Sequence, residues 1–218
     1  PYRRGDKAAW AANPQGVALM DVPFYLAQAE YAGVTDIQVA AATRKADEQI
    51  VPIAAQADAV VGKALNLASL QRKQNADKRL SIFFWNYPPG EKNLSASFLN
   101  VPRSLQTTLA ALQAAGYDTE SPSEPLLIGN LQRLLAPSYR KGELEPLLRD
   151  GLAATLPVAQ YRQWLATLPA ATQEALRERW GAPEASSMVL RRGGEAVFVV
   201  PRLMLGKIAI LPQPPRGE

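Results

Sequence analysis

The chain has 218 residues, 47% of them hydrophobic, with a net charge of +4. That is enough apolar material for one medium or two small domains, and the basic residues are scattered with no aromatic-interleaved stripe, which argues against nucleic acid as a partner. There is no Cys and no His, so disulfides, thiolate metal sites and imidazole chemistry are excluded, and no apolar run approaches the roughly 20 residues of a membrane span.

Residues 1–78 read as a connecting section. "AAWAANPQGVALMDVPFYLAQAEYAG" keeps neither a period of 2 nor one of 3.6, and Pro14, Gly16, Pro23 and Gly33 punctuate it into short elements. From Ala54 to about Lys73 the pattern sharpens. Val60, Val61, Ala64, Leu65, Leu67, Ala68 and Leu70 make one apolar stripe of a helix.

Residues 79–218 read as an α/β domain of Rossmann-like character with a helical insertion and a C-terminal set of β-strands. Leu80 to Trp85 is a strand, apolar on both faces, as expected for a central strand covered by helices on each side. A helix follows from about Ser97 to Ala115. Asn100 can cap its regular part, Pro102 sits in the first turn, Leu105, Leu109 and Leu112 line one face, and Gly116 suits the position just past the end. Residues 123–181 read as four short Leu-rich helices, separated or started by Pro137, Pro146, Pro157 and Pro169. The period then changes to 2. "SSMVLRR", "EAVFVVPRLM" and "GKIAILPQ" read as three strands, with Gly193-Gly194 as a tight turn.

The loop "NYPPGEKN" after the strand at Trp85 is the first candidate site. In open α/β sheets ligands bind outside the carboxyl ends of strands. Two prolines stiffen this loop, and Asn86, Tyr87, Lys92 and Asn93 offer polar groups, with Ser95 and Ser97 beside a helix start. The alternative is an ordinary surface turn; a P-loop is excluded because GxxxxGK[ST] is absent. "LPQPPRG" (211–217) closes a second strand in the same style. It would set Gln213, Arg216 and, at the end of the sequence, Glu218 on the same rim if the two strands are parallel neighbours; otherwise its prolines simply stop the strand. Glu30 is a lone carboxylate in an apolar stretch, either a site residue or a solvated or capping group. Trp10, Trp164 and Trp180 suit core or docking roles.

"KRLSIFFWNYPPGEKNLSASFLNVPRSL" resembles the CobN/magnesium-chelatase large-subunit family. That family has a strand, an Asn-Tyr-Pro-Pro-Gly-like loop and a helix entered through a turn that Leu99, Val101, Ser104 and Leu105 fit. "WGAPE" and "GKIAILPQPPRG" look like its later landmarks, and "WAANPQGV" and "AEYAG" like its earlier ones, with Ala29 in place of a Pro before Glu30. The resemblance implies an internal piece of a very large cytoplasmic subunit. That subunit would bind a tetrapyrrole, a corrinoid precursor for CobN. It would insert a divalent metal, cobalt in that case, with AAA+ ATPase subunits and ATP, as a ligase of cobalamin biosynthesis. A Gly-Thr-His-Gly segment of the family is missing from this sequence. The piece alone is therefore expected to bind no cofactor and to lack the catalytic groups.

On this resemblance Asn86, Lys92, Gln213 and Arg216 would meet the ring's carboxylate or amide rim and Tyr87 its face, with Glu30 as a further substrate-binding candidate. Two other readings remain: a module that binds a tetrapyrrole or another anionic ligand without transforming it, and a scaffold whose Leu-rich insert docks the ATPase. The leucines of that insert would equally serve as its own core.

Overall fold

A computed structural model describes residues 2–13, 19–34 and 36–214. Pro14, Gly16, Arg216 and Glu218 lie outside the described residues. The chain divides into two compact units, Pro1–Lys73 and Gln74–Glu218.

The first unit is made of short pieces, as its broken hydrophobic pattern predicts. Strand β1 (Tyr2–Asp6) leads into helix α1 (Lys7–Ala12), whose first N–H groups are capped by the Asp6 carboxylate. After a 3-10 turn at Leu19–Asp21, one π turn (Pro23–Ala27) runs into helix α2 (Gln28–Tyr31). Strands β2 (Ala41–Thr43) and β3 (Ile50–Pro52) complete a three-stranded sheet, with β1 and β2 parallel and β2 and β3 antiparallel. Ala42 in β2 and Ile53 just past β3 are the unit's buried apolar residues among those described. Helix α3 (Ala54–Arg72) forms as the sequence predicts, but its apolar stripe buries no residue.

The second unit is organised by a three-stranded sheet in the order β10–β11–β4. Strand β4 (Leu80–Phe84) alternates strictly. Leu80, Ile82, Phe84 and Asn86 turn inward, while Ser81, Phe83, Trp85 and Tyr87 are exposed. Residues 97–100, read from the sequence as the start of a helix, instead belong to a small hairpin of β5 (Ser95–Ala96) and β6 (Leu99–Asn100). Ser97 and Phe98 at its tip both have positive φ, 47° and 70°. That conformation is compatible with a two-residue turn but not with a helix.

Helix α4 (Val101–Ala114) therefore begins at the predicted cap. The Asn100 side-chain oxygen accepts from the Arg103 N–H at 3.0 Å, Pro102 lies in the first turn, and Gly116 has φ 83° just past the end. Helix α5 (Glu124–Leu135) packs beside it. Leu105 and Leu109 of α4 and Leu127, Leu131, Leu134 and Leu135 of α5 close over Phe84, Ile208 and Ile210 of the sheet to make the core.

The rest corrects the sequence reading in two places. "ELEPLLRDGLAATL" is not one helix: α6 (Leu144–Arg149) ends before Gly151, and strand β7 (Ala153–Pro157) follows. "EAVFVVPRLM" is not one strand. It breaks after Pro201 into β9 (Glu195–Pro201) and β10 (Leu203–Leu205), which belong to different sheets. Pro cannot donate to a ladder, so a chain that changes sheets there breaks little pairing. Helices α7 (Val158–Leu165) and α8 (Ala170–Trp180) follow β7. Strand β8 (Val189–Arg192) pairs with β9 through the predicted turn, where Gly193 and Gly194 have φ 56° and 84°. Strand β7 adds to the other edge of β9, and β11 (Ile208–Pro212) ends the described fold.

The class is mixed α/β, as expected. The expectation that β4 is a central strand with helices on each side is not met among the described residues, where it is the edge strand of its sheet. Helices α4 and α5 cover one face of its sheet, and Phe83 on the other face is 62% exposed.

Candidate functional site

Two loops leave the sheet at one end because β4 and β11 are parallel neighbours. Their register runs from Ile208 beside Leu80 to Pro212 beside Phe84. The Gln213 N–H donates to the Phe84 carbonyl at 2.8 Å, carrying the ladder one step further. "NYPPGEKN" and the described start of "LPQPPRG" thus begin at the same level on the same rim. This is where an α/β sheet places a ligand.

The first loop is held by its own polar groups. The Asn86 amide donates to the Gly90 carbonyl at 2.7 Å, and the Asn93 amide donates to the Pro88 carbonyl. The Asn93 side-chain oxygen accepts from the Ser95 hydroxyl at 2.7 Å. The Tyr87 N–H donates to the Ser95 carbonyl at 2.8 Å, which ties the loop to the β5–β6 hairpin. The Tyr87–Pro88 peptide is cis. From outside, the Gly90 N–H donates to the Tyr139 hydroxyl at 2.9 Å, and Arg140 bridges Glu91 at 2.7 Å and Glu143 at 3.1 Å. The side chains of Asn86, Glu91 and Asn93 and the Gly90 N–H are already committed, which holds the loop's shape before anything binds.

The candidate residues separate by environment. Asn86 is 6% exposed and staples the loop from within. Tyr87 is exposed, its ring 5.8 Å from that of Trp85 in a tilted pair. Lys92 is exposed and makes no ion pair among the described residues. It lines a concavity of about 350 Å³ with Phe98, Asn100, Pro102, Ile128 and Gln132, at the start of α4. Gln213 is half-buried on the neighbouring strand end. Arg216 lies outside the described residues. Glu30 is exposed on α2 in the first unit.

Sequence reasoning missed Tyr139 and Arg140, which clamp the loop from far along the chain, 49 positions in the case of Tyr139 and Gly90. No local pattern marks such a contact. It also missed Phe98, fully exposed on a two-residue turn whose residues both hold left-handed conformations without glycine. Among the described residues no three Asp or Glu side chains group so as to hold a metal ion, and no helix is long and apolar enough to cross a membrane. What the rim can do chemically is present a stiff, mostly neutral surface with an aromatic face and a cation to a ligand that carries acceptors.

In this mixed α/β unit the hydrogen-bonded loop after β4 and the described strand end at Gln213 share one rim. The whole chain, residues 1–218, matches CobN/Magnesium Chelatase, and the protein belongs to that family. It is 28% identical to the aerobic cobaltochelatase subunit CobN of Pseudomonas aeruginosa over 222 residues, covering 97% of this chain and 17% of that protein. It is 30% identical to a magnesium-chelatase subunit of Chlorobaculum parvum over 209 residues, covering 93% of this chain and 15% of that protein. Its fold matches the catalytic subunit of cobaltochelatase from Mycobacterium tuberculosis with a TM-score of 0.75, at 24% identity, over 98% of this chain and 18% of that one. The chain therefore spans about a sixth of the length of the relatives it matches.

Proposed function

We propose that these residues form one wall of the tetrapyrrole slot in a metal-inserting chelatase subunit. The observation that carries this is the parallel β4–β11 pair, which starts "NYPPGEKN" and the described first residues of "LPQPPRG" at one rim. A planar macrocycle needs a wall that keeps its shape when the slot is empty, and the hydrogen bonds around Asn86 and Asn93 supply that. Tyr87 lies against the ring face. Lys92, Gln213 and Arg216 meet carboxylate or amide groups on its rim, and Asn86 serves by holding the loop.

Metal insertion releases pyrrole protons as the divalent ion enters, which calls for groups that accept protons and hold the ion. The 218 residues contain no His or Cys. This stretch positions the ring, and the proton-accepting and metal-delivering groups come from the rest of the subunit. The ring is a corrinoid precursor and the metal cobalt, by likeness to the CobN relatives. AAA+ subunits drive the step with ATP in the cytoplasm, as a ligase of cobalamin biosynthesis. The magnesium-chelatase relative supports the same slot serving a different metal.

The test uses the full-length subunit titrated with a corrinoid carboxylate and a porphyrin carboxylate, followed by absorbance. Arg216→Ala and Lys92→Ala should each weaken binding roughly 10- to 100-fold, the value of a hydrogen bond to a charged group. Unchanged affinity in both variants overturns the assignment. Binding that persists in a subunit unable to insert any divalent metal would instead favour a binding module without catalysis.

A further inference from the structure

The β10–β11–β4 sheet has two apolar faces, and α4 and α5 of the same unit cover one of them. Register places Phe83 beside Leu211, Ser81 beside Ala209, and Met204 beside Ala209. Together with Trp85 these residues line the face turned away from α4 and α5, and none of them is charged. Phe83 is 62% exposed, Trp85 41% and Met204 40%. β4 is also the edge strand of its sheet among the described residues.

Sheets with parallel pairs are ordinarily buried on both sides, and strands that face water carry polar or charged residues on that side. An uncharged face with Phe, Trp, Met and Leu suits permanent burial rather than a passing encounter, for which charge complementarity would be expected. The choice of occupant follows from length. The chain covers 17% of the cobaltochelatase subunit it resembles and 18% of the structural neighbour, so proteins of this kind carry several times more polypeptide in the same chain. A tethered segment meets the face at a high effective concentration that a separate partner lacks.

We propose that another segment of the same polypeptide, outside these 218 residues, packs on the face formed by Phe83, Trp85, Met204 and Leu211, so that this sheet is a core shared with the rest of the subunit. The proposal stands apart from the ring-binding reading at Phe83, Met204 and Leu211, which lie on the flank of the sheet, and adjoins it where the Trp85 ring pairs with that of Tyr87.

The experiment places a photocrosslinker in the full-length polypeptide as Phe83→p-benzoylphenylalanine and, separately, Met204→p-benzoylphenylalanine, with adducts mapped by mass spectrometry. The expected result is an adduct with a peptide of the same polypeptide outside the 218 residues, independent of protein concentration and of added porphyrin carboxylate. An adduct with a second copy, with another protein or within the 218 residues overturns it, as does competition by the porphyrin. If no adduct forms, hydroxyl-radical footprinting decides. Oxidation of Phe83, Trp85 and Met204 about tenfold slower than in the urea-unfolded polypeptide supports burial, and a rate near the unfolded one overturns it. Ring titration of the Met204 variant separates the two proposals, since its affinity should equal that of the unmodified protein.

Discussion

Helices α3 and α4 carry the same kind of message in sequence and end up in different circumstances. Both show an apolar stripe at helical spacing. In α4 that stripe is packed: Val101, Leu105 and Leu109 are buried against α5 and the sheet. In α3, of 19 residues, none is buried, and Val61, Leu65 and Leu67 are 58%, 66% and 54% exposed. Their starts differ too. Asn100 caps α4 with its side chain, whereas Ile53 precedes α3 and offers no side-chain cap. Periodicity states which face of a helix wants cover. It does not state where that cover lies, and among the described residues α3 buries no side chain.

The largest effect is expected from the packed helix. Leu109 is 0% exposed, so Leu109→Ala removes buried methyl groups and leaves a void, costing about 2–5 kcal/mol. Leu65→Ala on α3 should cost no more than about 0.5 kcal/mol in the same chain, as is usual for exposed positions. Urea unfolding followed by circular dichroism reads both. Equal losses would break the comparison, because Leu65 would then be packed in solution. A loss at Leu65 that appears only in the full-length polypeptide would sharpen it, by showing that the cover of α3 is supplied from elsewhere.

A smaller effect isolates the caps. Asn100→Ala deletes the acceptor of the Arg103 N–H and the 2.8 Å hydrogen bond that its amide donates to Glu124. The expected cost is about 1 kcal/mol, with Asn100→Asp retaining most of the cap. If Asn100→Ala is neutral, packing alone sets the start of α4 and the missing cap of α3 is of no consequence.

Much of this was legible from residues. The cap at Asn100, the glycine turn at 193–194, the α3 span and the strand ending near Trp85 all follow from local chemistry. The meeting of the two loops was legible only as a condition, that β4 and β11 be parallel neighbours, because their pairing joins residues far apart in sequence, Leu80 with Ile208 at one end and Phe84 with Pro212 at the other. Strand β7 was hidden for a different reason. "GLAATLPV" carries Leu and Ala that favour a helix, and its strand pairing is with β9, a tertiary partner that overrides propensity. Strands β1 to β3 were hidden because each is short, and "YRRGD" has no alternation to read. At the site, Asn86 looked like a group for a ligand because it is polar and in a loop; its burial and its bond to Gly90 could be known only from the folded chain.

The smallest expected effect concerns charge, and it tests whether the packed unit depends on its ion pairs. Arg149 and then Arg133 hold the Asp150 carboxyl below the usual carboxylate range, and Arg162 does the same for Glu184. A carboxylate whose pKa is lower in the folded state binds protons less readily there than when unfolded. Its contribution is therefore complete above the unfolded value, near 4, and is lost as pH falls through the depressed folded one. The urea midpoint should be flat between about pH 7 and 5 with respect to these groups and should fall below about pH 4. All the partners are solvent-accessible, so screening keeps the fall small beside that of Leu109→Ala, and added salt should shrink it further. Asp150→Asn and Arg162→Gln should each flatten part of the acid limb while leaving the neutral-pH midpoint nearly unchanged. An acid limb as steep in the double variant as in the parent would assign the decline to other carboxylates, and a large loss at neutral pH would mean that these pairs, rather than the leucine core under α4 and α5, hold the unit together.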